Sequence, residues 1–198
     1  MPNKLVRLLS RKKPGTLQER FPQFSIGKGS YGPLRVYDWG EGATLRIGAY
    51  CSIAEGSKIL LGGGHRTDWV TTYPFEVFLK SAKHVKGTRI TKGDVNIGND
   101  VWLGMDSMIM SGVTVGDGAV IGASAVVTKD IPPYAIVAGN PVRVVRMRFD
   151  DTVIDKLLEI QWWNWSDSRI ERLVPLLMNN DLEAFLDAAE ACVEEEPV

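Results

Sequence analysis

Cysteine and histidine are scarce in this chain, which contains two of each among its 198 residues. Cys51 and Cys192 lie far apart, and no Cys-x-x-Cys pair or cluster of cysteine and histidine occurs. The sequence therefore predicts neither a disulfide framework nor a zinc site, and a reducing cytoplasm is the expected location.

Long apolar runs and a large net charge are also missing. No segment approaches the roughly 18 apolar residues of a spanning helix, and residues 1–20 lack the continuous apolar segment of a signal peptide. The formal net charge is -1, so no overall attraction to nucleic acid or to a membrane surface is predicted. Basic residues gather at the start of the chain and acidic residues at its end, and we interpret both segments as solvated termini.

A repeat with a period of six residues occupies the middle of the chain. This period fits neither an α-helix nor a hairpin ladder, so we predict short strands that stack coil upon coil as a parallel β-helix. Glycine often follows the aliphatic position, where a tight corner favours it. The aliphatic positions are Ile47, Ile53, Ile59, Ile97, Leu103, Ile109, Val115, Ile121 and Val127. A second inward row is predicted at Leu45, Cys51, Val95, Val101, Val113 and Ala119.

The repeat is interrupted between Ile59 and Ile97. These residues are 38 positions apart, which is not a multiple of six. We therefore predict that residues 62–92 leave the solenoid as a long excursion loop, and loops of this length are usually functional or disordered. Aromatic residues such as Trp69 and Tyr73 argue against disorder.

Beyond Phe149 the period changes to that of amphipathic helices, with Asp150 among the N-cap candidates. The predicted organisation is thus an N-terminal arm over residues 1–25, a β-helix over 26–149 with its excursion loop, and a C-terminal helical cap over 150–198.

Several separated motifs resemble those of one protein family. They are "GGGHRTDW" followed by "TYPF", then "GNDVWLG", "IGASAVVTKDIPPYAIVAGNPVRVVRMRF" and "IQWWNW". Together they resemble the hexapeptide-repeat acyltransferases, in the xenobiotic acetyltransferase branch that includes the chloramphenicol and streptogramin A acetyltransferases. The resemblance implies a left-handed β-helix with three hexapeptides per coil, acetyl-CoA as co-substrate without a metal, and a homotrimer with active sites between subunits.

The resemblance assigns catalysis to His65, which follows the three glycines of "GGGHRTDW". Neutral imidazole, with an ordinary pKa of about 6.5, is suited to take the proton of an attacking hydroxyl or amine. The acceptor would attack the thioester directly, and backbone N–H groups would stabilise the oxyanion.

The resemblance also implies binding residues for both substrates. Tyr37 and Asp38 are predicted to contact the acceptor. Asp68, also on the acceptor side, is predicted to orient an imidazole or an arginine, with a local turn bond as the alternative. Lys129 and two arginines are expected to pair with phosphates. The residues implied for coenzyme A are Met105, Ala123, Thr128, Lys129, Arg143 and Arg146, of which the first two are 18 residues apart and should stack.

The identity of the acceptor stays open at this stage. Antibiotic-modifying members run from the histidine to "TYPF" through glycine or serine, whereas this chain has Trp69 and Val70. An antibiotic, a sugar or an amino sugar therefore all remain candidates. A stack of coils alone implies no chemistry, so a catalytically inactive assembly module is a further alternative. A carbonic anhydrase on this solenoid would need three histidine ligands, and the chain has two.

Overall fold

The computed structural model of the chain describes residues 15–191, in which short strands wind into stacked coils with three sheets. We name the sheets A, B and C in the order in which each coil visits them. Sheet A contains β1 (Ser25–Ile26), β3 (Leu45–Ile47), β8 (Val95–Ile97) and β11 (Thr114–Val115). Sheet B contains β4 (Ser52–Ile53), β9 (Trp102–Leu103), β12 (Val120–Ile121), β14 (Ala135–Ala138) and β15 (Arg143–Met147). Sheet C contains β2 (Arg35–Tyr37), β5 (Lys58–Leu60), β10 (Met108–Ile109) and β13 (Val126–Val127).

The strand pairing follows the hexapeptide period. Ile97 pairs with Val115 in sheet A, 18 residues on, and the equivalent pairs in sheets B and C have the same spacing. All pairs within the three sheets are parallel except β14 with β15. The predicted architecture of parallel strands in stacked coils is therefore confirmed.

The core of the solenoid is a column of aliphatic side chains. All nine predicted aliphatic positions are buried, with at most 3% of the residue exposed, and so are the six residues of the second row. Each fully buried side chain of this kind contributes roughly 1.5–3 kcal/mol. The column is continuous through the coils, which explains why a period of six residues is sufficient to specify it.

Glycine at the corners is required for a reason other than the one predicted. A Cβ on Gly98 would lie 2.7 Å from the backbone nitrogen of Asp117 in the next coil. The left-handed backbone at this corner is instead adopted two residues later by Asp100, with φ of 52°. The glycine thus permits close approach of neighbouring coils, and the turn itself falls on another residue.

The excursion begins and ends with a small antiparallel ladder, in which β6 (Gly64–His65) pairs with β7 (Arg89–Ile90). The excursion lies between the paired strands β5 and β10, whose partner residues are 50 positions apart in the sequence. Partners in uninterrupted coils are 18 positions apart. The difference corresponds to about 32 inserted residues, which include the short helix α2 (Phe75–Phe78) and a 3₁₀ turn at Lys80–Ala82.

Helices lie at both ends of the described chain. Helix α1 (Leu17–Arg20) lies within the predicted N-terminal arm, and its Leu17 is buried in the solenoid core. Helices α3 (Asp151–Ile160), α4 (Asp167–Leu177) and α5 (Leu182–Ala191) follow β15.

Helices α3 to α5 share a second core with Tyr134 of the solenoid, and Trp165 is buried in it. The predicted N-cap is confirmed, because the Asp150 side chain accepts a hydrogen bond from the Val153 N–H at 2.9 Å.

Residues 1–14 and 192–198, which hold most of the predicted basic segment and part of the acidic one, lie outside the described residues. No helix between residues 15 and 191 is long and apolar enough to cross a membrane.

Candidate active site

The base of the excursion is held together by a hydrogen bond between its two ends. The Thr91 hydroxyl donates to the carbonyl of Leu61 at 2.6 Å and so joins the outgoing and returning segments. Directly beyond this bond, His65 stands opposite Arg89 in the β6–β7 ladder. The ladder therefore fixes where the His65 backbone lies relative to the solenoid.

A backbone carbonyl fixes the tautomer of His65. Its Nδ1 lies 2.6 Å from the carbonyl oxygen of Thr72. Because a carbonyl oxygen only accepts, Nδ1 must carry a proton and donate it, so in the neutral ring the lone pair lies on Nε2. The residue as a whole is exposed.

Charged and aromatic side chains follow His65 along the loop. The Arg66 guanidinium donates two hydrogen bonds to the Asp68 carboxylate and lies 5.3 Å from the Trp69 ring centroid. The bond from Arg66 holds the pKa of the Asp68 carboxyl at about 2, well below its usual range. Of the partners predicted for Asp68, the structure places the arginine and not the imidazole beside it.

Aromatic side chains of the first coil approach the same region. Tyr37 stacks with Trp39, with ring centroids 6.0 Å apart and planes inclined by 22°. The Trp39 ring would lie 2.9 Å from a Cβ on Gly63, whose φ of 78° is left-handed. Gly63 therefore satisfies both a backbone requirement and a close contact with the indole. Asp38 is used locally, since its carboxylate accepts the Gly40 N–H at 2.8 Å.

Farther along the excursion lies an exposed aromatic cluster formed by Tyr73, Phe75 and Phe78. Its ring centroids are 4.8 Å apart for Tyr73 and Phe75 and 5.4 Å apart for Tyr73 and Phe78. Each of the three residues is 45–63% exposed. An apolar cluster with this much surface is typical of an interaction site.

The predicted site residues fall on two edges of the solenoid. The C–A edge consists of the segments that join sheet C to sheet A, and the B–C edge of those that join sheet B to sheet C. The C–A edge holds Asp38, Thr128, Lys129 and the excursion with His65, and Tyr37 is the last residue of β2, next to this edge. The B–C edge holds Met105 and Ala123. Arg143 lies beside this edge, because it pairs with Ala138 at the end of β14.

Met105 and Ala123, the two residues on the B–C edge predicted to contact coenzyme A, lie on adjoining coils as expected. The Met105 carbonyl accepts the Ser124 N–H at 2.8 Å, which places Ala123 on the adjoining coil. Arg146 lies farther along β15, opposite Ile136, and is exposed. One chain therefore does not bring all six predicted coenzyme A contacts to a single edge.

Cys51 and His84 are the other residues between 15 and 191 with a thiol or an imidazole side chain. Cys51 is buried, and burial raises the pKa of its thiol to about 11, which confirms the predicted structural role. His84 is exposed on the excursion. Among residues 15–191, no group of three or more His, Cys, Asp and Glu side chains is arranged to hold a metal ion.

Two contacts of the site were not predicted from the sequence. The partner of His65 is a backbone carbonyl, which no side-chain pattern reveals, although Thr72 precedes the "YPF" of the quoted motif. Glu41 was also missed, and its carboxylate accepts the Gly63 N–H at 2.8 Å. Glu41 lies in the sequence "GEG", some twenty residues before the three glycines. Its neighbours in the sequence do not indicate the contact with Gly63.

Stacked hexapeptide coils define a hexapeptide-repeat solenoid, and comparison with known proteins gives its family. The family described as "Bacterial transferase hexapeptide (six repeats)" matches residues 94–129. The chain is 46% identical over 151 residues to a chloramphenicol acetyltransferase of Agrobacterium fabrum, covering 73% of this chain and 72% of that protein. It is 47% identical over 133 residues to a probable macrolide acetyltransferase of Lysinibacillus sphaericus, covering 65% and 74%. It is 46% identical over 147 residues to a virginiamycin A acetyltransferase of Staphylococcus aureus, covering 72% and 66%.

The chain therefore belongs to the hexapeptide-repeat acetyltransferases, in the branch that contains chloramphenicol and virginiamycin A acetyltransferases. The family predicted from the motifs is confirmed, and so is the prediction of an acetyltransferase. Acetyl-CoA is the acyl donor of this family, as the resemblance implied.

Proposed function

We propose that this enzyme transfers the acetyl group of acetyl-CoA to a hydroxyl or amine of a small acceptor, with His65 as general base. The observation that supports this role is the hydrogen bond from His65 Nδ1–H to the Thr72 carbonyl. A neutral imidazole held in this tautomer presents Nε2 as a proton acceptor, which is what a general base needs near pH 7.

The proposed reaction requires no covalent enzyme intermediate. The acceptor O–H or N–H gives its proton to Nε2 while its heavy atom forms a bond to the thioester carbonyl carbon. The resulting oxyanion collapses, the carbon–sulfur bond breaks, and the imidazolium returns the proton to the thiolate of coenzyme A. The Thr72 carbonyl supports this cycle because it accepts a hydrogen bond from Nδ1–H in both protonation states of the ring.

The distribution of the site over two edges supports a site between subunits. We infer a homotrimer of left-handed β-helices, in which the B–C edge of one subunit faces the C–A edge of its neighbour. Met105, Ala123 and Arg143 of one subunit would then complete the donor site beside His65 of the other. The exposed aromatic cluster of the excursion provides an apolar surface for the same contact.

The C-terminal helices fit this arrangement as the cap of the solenoid. The last strand pair, β14–β15, ends the parallel stacking, and α3 to α5 pack over Tyr134 of the final coil. A cap of this kind protects backbone groups that terminal coils leave unpaired. We place the enzyme in the cytoplasm, where acetyl-CoA is available.

For the acceptor we propose an antibiotic alcohol such as chloramphenicol or a streptogramin A. Relatives at 46% identity are named for chloramphenicol and for virginiamycin A, and these names support this choice. A sugar or amino sugar is the second candidate. It is favoured by Trp69 and the fully exposed Val70, which place bulk where the antibiotic-modifying members have glycine or serine.

A thiol-release assay with acetyl-CoA tests the proposal against chloramphenicol, a streptogramin A and a panel of amino sugars. We expect turnover with at least one antibiotic, and His65→Ala should lower it by about 10²–10⁴-fold. His84→Ala is the matched control, because it removes the other exposed histidine of the same excursion. Activity with sugars only would exclude the antibiotic acceptor. Thiol release that is equal in the wild type and in His65→Ala would exclude the base.

A further inference from the structure

Glu41 joins the first coil of the solenoid to the segment that leads to His65. It lies on the C–A edge, between β2 and β3, and is half-buried. Its Oε2 accepts the N–H of Gly63 at 2.8 Å. Gly63 precedes His65 by two residues, so this bond holds the backbone from which the imidazole projects.

A side chain at Gly62 would displace the Glu41 carboxylate from its present position. A Cβ built there would lie 1.8 Å from Glu41 Oε2. Gly62 has no left-handed backbone that would itself require glycine, so the close approach of the carboxylate accounts for it. Two of the three glycines before His65 are thus explained by side chains of the first coil, Gly62 by Glu41 and Gly63 by Trp39.

The second carboxylate oxygen of Glu41 brings no gain in stability. Oε1 is buried and has no hydrogen-bond partner among the described residues. A buried carboxylate oxygen without a partner is destabilising. Departures from good packing of this kind concentrate at functional sites, and this one lies beside the proposed catalytic base.

We propose that Glu41 is a positioning residue for His65, an inference that rests on the proposed function. Its carboxylate fixes the direction in which the chain leaves the solenoid at Gly63 and so fixes the place of Nε2. Glu41 contacts neither substrate in this role. Because a displacement of about 1 Å at a catalytic group costs on the order of 100-fold in rate, the bond to Gly63 affects turnover more than substrate binding.

Steady-state kinetics of Glu41→Leu and Glu41→Gln test the role of the hydrogen bond. Leucine has a similar size but no acceptor, and it should lower kcat by about 10–100-fold while KM for acetyl-CoA changes by less than about twofold. Glutamine keeps an oxygen for the Gly63 N–H and should restore kcat to within about fivefold of the wild type. If glutamine lowers kcat as much as leucine does, the inference is wrong.

Two further variants make the test specific. Gly62→Ala displaces the carboxylate without changing it and should reproduce the loss seen with leucine, even if leucine itself prevents folding. Asp94→Ala is the matched control, because Asp94 accepts the Thr44 N–H at 2.8 Å on the same edge of the solenoid. It should leave kcat within about twofold of the wild type. An equal loss in Asp94→Ala would show that any such bond on this edge matters, and would overturn the specific role of Glu41.

Nitrogen-15 NMR of the imidazoles provides a readout without substrate, and only two histidines need assignment. The wild type should show His65 with its proton on Nδ1. Glu41→Leu should give a mixture of tautomers at His65 and an unchanged His84. An unchanged His65 spectrum in both Glu41→Leu and Gly62→Ala overturns the inference even if His65 is the base. If instead His65→Ala keeps full activity, the proposed function fails, while the spectra still show whether Glu41 positions the ring.

Discussion

Residues 95–127 and residues 62–92 are stretches of similar length that are stabilised in different ways. In the first, every sixth side chain lies in the central column and is at most 3% exposed. In the second, no residue from 63 to 92 is buried, and the segment is held by hydrogen bonds at its base and by aromatic contacts at its surface. The coils thus provide stability, and the excursion places a reactive group at the surface of a rigid support.

The comparison also explains why the proposed catalytic group lies where burial is low. A buried imidazole would be closed to acceptor and thioester, and the excursion instead exposes His65 while the Thr72 carbonyl holds its Nδ1. Regions that bind ligands are usually drawn from the less stable parts of a fold. The contacts of Glu41 and Thr91 at the base of the excursion compensate by fixing its direction.

Replacing a valine with alanine in each region should give the largest difference in the free energy of unfolding. Val115→Ala removes two buried methyl groups from the column and should lower the free energy of unfolding by about 2 kcal/mol. Val70→Ala changes a fully exposed side chain and should alter it by less than about 0.5 kcal/mol. Chemical denaturation of both variants measures the difference, and equal effects would show that the excursion is as tightly packed as the coils.

A smaller effect is expected at the boundary between the regions. Thr91→Val removes the hydroxyl that donates to the Leu61 carbonyl and should cost about 1 kcal/mol of unfolding free energy. Hydrogen exchange should show faster opening of the amides in the β6–β7 ladder, with no change in the amides of β8 to β13. Uniformly faster exchange would contradict the independence of the two regions.

The smallest effect concerns the exposed pair of Arg66 and Asp68. The Arg66 bond lowers the folded pKa of Asp68 to about 2, so its stabilisation is fully present above the ordinary pKa and is lost as the pH falls through about 2. The free energies of unfolding of the wild type and of Asp68→Asn should therefore differ slightly at pH 5 and become equal near pH 2. The difference should shrink in high salt, since the pair is exposed.

A double-mutant cycle controls this measurement. In an Arg66→Gln background, the chain that keeps Asp68 and the chain that also carries Asp68→Asn should have equal stability across the same pH range. A difference that persists without the arginine would assign the effect to another partner of Asp68.

Much of the solenoid was predictable because it repeats. Each inward side chain, such as that of Ile109, packs against equivalent side chains of the neighbouring coils. The requirement for an aliphatic residue therefore recurs every six residues and is visible in the sequence. The excursion was found as a break in that pattern, and His65 through its resemblance to a family. The roles of Glu41 and of the Thr72 carbonyl were not predictable, because their partners are distant backbone groups that leave no periodic signal.

The sequence by itself determined the parallel coils, their buried aliphatic rows and the family of the enzyme, since short-range periodicity and contiguous motifs encode these directly. Only the tertiary structure decided which nitrogen of His65 donates to a backbone carbonyl, which side chains pack against Gly62 and Gly63, and how the predicted site residues divide between two edges. The physical reason is that these features depend on distances of a few ångströms between segments that the chain brings together only when the coils stack.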